Sequence, residues 1–168
     1  MASLQLPSRR VVNLIGAAIC AVLMGFALYS QYVDGLEPCP LCAFQRIAMC
    51  AVGFVLLVAA LHGPGHVGGR IYGVLAGLYA IGGIVVAGRH VWLQSLPPDQ
   101  VPACGPGLGY ILDTFPLGEA LKQVFAGSGE CAKVDWTFLG QSMPFWVLVW
   151  FVILGVVAVW NGWRRVPR

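Results

Sequence analysis

A chain of 168 residues, 58% hydrophobic and only 10% charged, falls outside the ordinary water-soluble class, where charged residues make up about 25%. Its formal charge of +3 is too small to argue for a nucleic-acid partner, and its length fits one domain. Composition leaves a bilayer protein, in which the position of each charge says more than the sum.

Four stretches are long and apolar enough to span about 30 Å of hydrocarbon, which takes roughly 20 helical residues. They run approximately over 11–32, 43–61, 71–93 and 144–163. The expected fold is therefore an all-α four-helix transmembrane bundle. The opening "SRRVV" could introduce a secretory or twin-arginine signal. The run after it is long for a signal, has no clean small-x-small cleavage site and precedes three more spans, so the first span is expected to remain in the protein. A short connection, about 33–42, holds "EPCPLC" and leads into the second span, which carries Arg46 near its start. The third span ends in "GRHVWLQ", with Arg89 and His90 near its outer end. Gly73, Gly77 and the Gly82–Gly83 pair within it read as sites of close helix contact.

The long connection, about 94–143, begins with "PPDQVPACGPG" around Cys104. Its "PLGEALKQVFAG" has Leu117, Leu121, Val124 and Phe125 on one helical face, with a proline to start it and a glycine to end it. An amphipathic helix lying on the membrane surface is the expected structure. The fourth span carries no charge.

Basic residues orient the bundle. Arg9 and Arg10 precede the first span, Arg70 lies beside His62 and His66 in the second connection, and Arg164, Arg165 and Arg168 follow the fourth span. By the positive-inside rule these mark the cytoplasmic side, with both termini. All seven acids, Asp34, Glu37, Asp99, Asp113, Glu119, Glu130 and Asp135, fall in the other two connections.

Topology also sorts the six cysteines. Cys20 and Cys50 lie inside spans, where a thiol behaves as a small hydrophobe. Cys39, Cys42, Cys104 and Cys131 lie on the outer side, where disulfides persist. Structural bridging would suit Cys104 and Cys131, which bracket a loop-like segment. A C-x-x-C ring closes almost no chain, so redox chemistry suits Cys39 and Cys42 better. If the second span starts near Pro40, Cys42 lies at a helix N-terminus, where a thiolate is stabilised. Arg46, four residues on, shares its helical face and could supply a counter-charge. A dithiol at the membrane–water boundary can meet a soluble protein above it and a lipid-soluble electron carrier at its own depth, for which a quinone is the natural candidate.

Four spans, "PCPLCAFQR" opening the second, "GRHVWLQ" ending the third and "GSGECAKVDWTFLGQSMPFW" leading into the fourth together resemble the disulfide bond formation protein B family, DsbB. The resemblance covers nearly the whole chain. It implies a membrane oxidoreductase of the bacterial inner membrane that re-oxidises a periplasmic DsbA-like thiol-disulfide oxidoreductase and passes the electrons to ubiquinone or menaquinone. By position, it implies a Cys104–Cys131 disulfide that exchanges with the partner and a Cys39–Cys42 disulfide coupled to the quinone. Cys42 would be the sulfur nearest the quinone, with Cys39 engaging Cys131. Arg46 and His90 would belong to the quinone site. Re-oxidising a DsbA-like couple near about −120 mV is uphill for most thiol pairs but within reach of a quinone. Two alternatives from other classes are a zinc-binding membrane protein and a structural four-span protein with inert bridges. A haem held by His62, His66 and His90 fails on topology, because His90 lies at the opposite face.

Overall fold

The computed structural model of the chain describes residues 7–103 and 108–164. Cys104, Arg165 and Arg168 fall outside these, as do the side chains of Leu117 and Leu121. Four long helices form the bundle: α1 (Arg9–Tyr32), α2 (Pro40–His62), α3 (His66–Gln94) and α7 (Met143–Trp163). All four are long and apolar enough to cross a membrane. Between α3 and α7 come the short helices α4 (Leu108–Thr114), α5 (Leu117–Ala126) and α6 (Gly129–Ala132), then strands β1 (Thr137–Phe138) and β2 (Gln141–Ser142).

Local chemistry sets the helix ends. The Ser8 side chain accepts from the Val11 amide at the start of α1. Pro40 occupies the first turn of α2, where its missing N–H costs nothing. Gly63 closes α2 in the left-handed conformation at φ 57°. Helix α3 begins at His66, five residues before the apolar stretch read from sequence. Its 29 residues extend about 43 Å at 1.5 Å per residue, so its ends stand in the polar interface, where His66 and Arg70 are tolerated.

The centre of the bundle is built from Val52 and Leu56 of α2, Ala76 and Ala80 of α3, and Phe151 and Leu154 of α7. Small residues bring α3 and α7 together. A Cβ added at Gly73 would lie 3.0 Å from the Ala158 carbonyl oxygen, and one at Gly83 would collide with the Phe151 ring. Gly77 likewise faces Val159. Gly82 corrects the sequence expectation: nothing lies within 4 Å of where its Cβ would be, because one residue along a helix turns it about 100° off the contact face. Large apolar side chains such as Val22, Phe54, Ile81 and Val156 point outward, as lipid-facing residues do.

The long connection folds back over one end of the bundle. On α5, Val124 is buried among Leu41, Val86 and Leu93, while Phe125 is exposed. Arg89 donates to the Phe125 and Ala126 carbonyls, each at 3.1 Å, and so satisfies the C-terminal end of α5. The sequence reading missed the antiparallel β1–β2 hairpin. Its turn residues Leu139 and Gly140 both have positive φ, 51° and 76°, as a two-residue type I′ hairpin turn requires.

Candidate functional site

The first connection delivers Cys39 to the N-cap of α2, one position before Pro40. Its sulfur accepts from the Cys42 amide at 3.4 Å and so serves one of the unpaired N–H groups of the first turn. The capping sulfur is Cys39, and Cys42, the third residue of α2, lies in its first turn, at the helix N-terminus expected from the sequence. The two sulfurs are 3.3 Å apart and unbonded, since a disulfide would bring them to about 2.05 Å. The helix and its proline hold them within easy reach of that bond.

His90 of α3 lies directly beside the pair and is only 2% exposed, which rules out a surface histidine. Its Nε2 is 3.9 Å from the Cys39 sulfur and its Nδ1 is 3.9 Å from the Cys42 sulfur. Gln45, also buried, places its Nε2 3.0 Å from His90 Nδ1. An amide N–H donating there makes Nδ1 the acceptor and leaves the imidazole proton on Nε2, facing Cys39. Sequence reasoning missed Gln45. The available signal was an amide inside an apolar span, one turn beyond Cys42, where it needs a partner.

Cys131 comes from the far side of the long connection. Helix α6 buries it in one cluster with Cys39, Leu41, Val86, Leu93 and Val124. A hydrogen bond to Cys39, followed by burial, raises its thiol pKa well above the ordinary range. Among the described residues, three of the four outer cysteines therefore meet at one end of the bundle, and Cys104 lies outside the described residues. Cys20 packs in the bundle core and Cys50 is exposed on the outer surface of α2, both well away from this cluster along their helices.

Beneath the cysteines a cavity of about 140 Å³ opens between the helices. Leu23, Met24, Met49 and Val147 give it apolar walls, while Ser30, Cys42, Arg46 and His90 give it a polar end. Arg46 does not point into open solvent: its guanidinium donates to the Gln31 side-chain oxygen and, at 2.9 Å, to the Ala27 carbonyl of α1. Neither partner is charged, and Glu37, Glu130, Lys133 and Asp135 also line the cavity. Ser30 is 2% exposed, and its hydroxyl has no partner among the described residues. An apolar slot ending in an orphaned hydroxyl and a cation suits a flat apolar molecule with oxygen acceptors. Cys39, Cys42 and His90 also offer three metal-ligating atoms within 4.8 Å of one another.

A family model described as "Disulfide bond formation protein DsbB" matches residues 9–161. The chain is 52% identical over 161 residues to disulfide bond formation protein B of Methylococcus capsulatus, covering 96% of this chain and 98% of that one. It is 54% identical to the protein of that name from Nitrosococcus oceani, over 94% of this chain and 93% of that one. The Hahella chejuensis protein of the same name is 54% identical, over 97% and 98% respectively.

Proposed function

The chain belongs to the disulfide bond formation protein DsbB family, and on that basis we propose that it re-oxidises a DsbA-like thiol-disulfide oxidoreductase and passes the electrons to a membrane quinone, ubiquinone or menaquinone. One observation carries the reading: the Cys39 sulfur shares a buried cluster with Cys131 and stands beside Cys42 at the mouth of a cavity that also holds Arg46. In the resting oxidised form the pairs are Cys104–Cys131 and Cys39–Cys42. A thiolate of the reduced partner attacks Cys104, forming a mixed disulfide and expelling Cys131 as a thiolate. The partner's second thiol then closes its own disulfide and frees Cys104. Cys131 attacks Cys39, and cleavage of the Cys39–Cys42 bond leaves Cys42 as a thiolate at the cavity. Cys104 then attacks Cys131, re-forming the Cys104–Cys131 disulfide and releasing Cys39, so that the electron pair rests on Cys39 and Cys42, whose disulfide re-forms as the quinone is reduced.

A bound quinone supplies a two-electron, two-proton sink, which balances the two electrons and two protons lost by the partner's thiols. Around it, Arg46 would hold developing negative charge, Ser30 would donate a hydrogen bond, and His90 would keep a proton on Nε2 beside Cys39. The apolar walls would keep water from the sulfurs. The proposed setting is the bacterial inner membrane, with both termini cytoplasmic and the four redox cysteines periplasmic.

Cys104→Ala tests the assignment. It should abolish oxidation of the reduced partner while leaving Cys39 and Cys42 able to be re-oxidised by quinone. Partner turnover at the normal rate in Cys104→Ala would overturn the relay. The Cys39, Cys42 and His90 cluster also favours a second reading, a zinc site of the two-cysteine, one-histidine kind. Metal analysis of purified protein separates the two: stoichiometric zinc, with loss of fold on chelation, supports the zinc site.

A further inference from the structure

The end of the bundle opposite the cysteines gathers the start of α1, the α2–α3 turn and the end of α7. We infer that this end holds the phosphodiester headgroup of an anionic phospholipid in the cleft lined by Arg9 and Arg10.

The cleft has a volume of about 330 Å³ and also takes in Asn13, Gly69, Asn161 and Gly162. Arg9 donates to the Arg164 carbonyl. Arg164 in turn donates to Asn161 Oδ1 and to the Pro7 carbonyl, each at 2.7 Å. All these acceptors are neutral, and every acidic side chain of the chain lies in the connections at the other end. The Arg9 and Arg164 guanidinium groups therefore sit near one another without a carboxylate. Burial and the charge of Arg9 both lower the Arg164 pKa, the mark of cations lacking a nearby anion. The Arg9 Nε–H is buried without a partner among the described residues, which leaves a donor unsatisfied unless a ligand meets it. The Arg10 guanidinium packs over Gly63 at the rim of the same cleft.

An arginine fork and an orphaned N–H, set at the boundary between apolar helices and water, match the charge and the oxygen acceptors of a phosphodiester. Basic pockets between transmembrane helices hold anionic headgroups by this chemistry. The flanks favour a lipid over free phosphate: Leu14, Val67 and Ile71, all near this end of α1 and α3, are exposed and give acyl chains an apolar surface beside the headgroup.

The test uses the full chain in phosphatidylcholine nanodiscs with and without phosphatidylglycerol, reading retained lipid by native mass spectrometry and thermal unfolding in parallel. Arg9→Gln/Arg10→Gln is compared with Arg70→Gln, which removes a charge at the same end but outside the cleft. Wild type and Arg70→Gln should retain one phosphatidylglycerol and unfold at a higher temperature when it is present. The double variant should bind it about ten-fold or more weakly. Because Arg9 also ties α1 to the end of α7, Arg10→Gln alone is the second variant; it keeps that tie and should still weaken retention. Three results overturn the inference: equal losses in Arg70→Gln and the double variant, unchanged retention in both cleft variants, or stabilisation by inorganic phosphate that matches the lipid.

Discussion

Arg46→Ala is the sharpest probe of the proposed electron path, because that guanidinium lines the cavity from within the bundle on α2, whereas Lys133, which also lines it, belongs to the long connection. The substitution deletes the hydrogen bonds to Gln31 and to the Ala27 carbonyl. Folding should change little, since shedding a charge from the membrane interface offsets the bonds lost. The effect falls on the acceptor. A hydrogen bond from a charged donor contributes about 1.5–3 kcal/mol, which corresponds to a rise in quinone KM of roughly 10- to 150-fold if Arg46 donates to a quinone oxygen. Arg46→Lys keeps the charge but loses the planar fork, and should fall between the two. The assay follows quinone reduction at varied quinone concentration, with a fixed excess of reduced partner, for all three forms in detergent. Exchange at Cys104 is measured separately and should be unaltered. A wild-type quinone KM and rate in Arg46→Ala, with folding intact, would refute the reasoning and reduce Arg46 to an interfacial anchor.

Gln45→Leu removes the 3.0 Å contact to His90 Nδ1 and leaves that buried nitrogen only the weaker 3.9 Å contact to the Cys42 sulfur, at a cost of about 1 kcal/mol. Re-oxidation of Cys39 and Cys42 should slow about ten-fold while the nitrogen NMR shifts of His90 report a changed tautomer; unchanged shifts and rate would clear Gln45 of a positioning role. Gly83→Val pushes into the Phe151 ring and should destabilise by about 1–3 kcal/mol, lowering the unfolding temperature in detergent by several degrees, whereas Gly82→Ala should leave it unchanged. For Cys131 the sign follows from its raised pKa: the protonated thiol is favoured in the fold, so its stabilising contribution is complete below the ordinary thiol pKa and is lost as pH rises through the raised value. Alkylation of reduced Cys131 should therefore lag behind an ordinary thiol at pH 8 to 9 and catch up only at higher pH. Cys39→Ser should quicken it, because the hydrogen bond to Cys39 is the leading cause of the shift.

The fold was legible because membrane chemistry writes in long words. A span needs some twenty apolar residues, and four such runs cannot be hidden by packing detail. The C-x-x-C pair and Arg46 were legible for a related reason: a close dithiol and an intramembrane cation are both costly choices that composition makes conspicuous. What escaped was set by tertiary geometry. Gln45 acquires its meaning only from His90, 45 residues away, and the hydrogen bond between two buried side chains leaves no periodicity in either segment. Cys131 reaches Cys39 across 92 residues, counting from 39 to 131, by way of a four-residue helix too short to register as a pattern. Gly82 and Gly83 read alike, yet only Gly83 meets α7, since a helix separates neighbours by about 100° and only the bundle fixes which face is inward. The pairing of Arg9 with Arg164 makes the same point at the other end. Arginines there read as a topology signal, each one alone, while the contact between Arg9 and Arg164 depends on the first and last helices lying side by side. Residues whose role is intrinsic can be named from sequence; residues whose role is relational need the bundle assembled first.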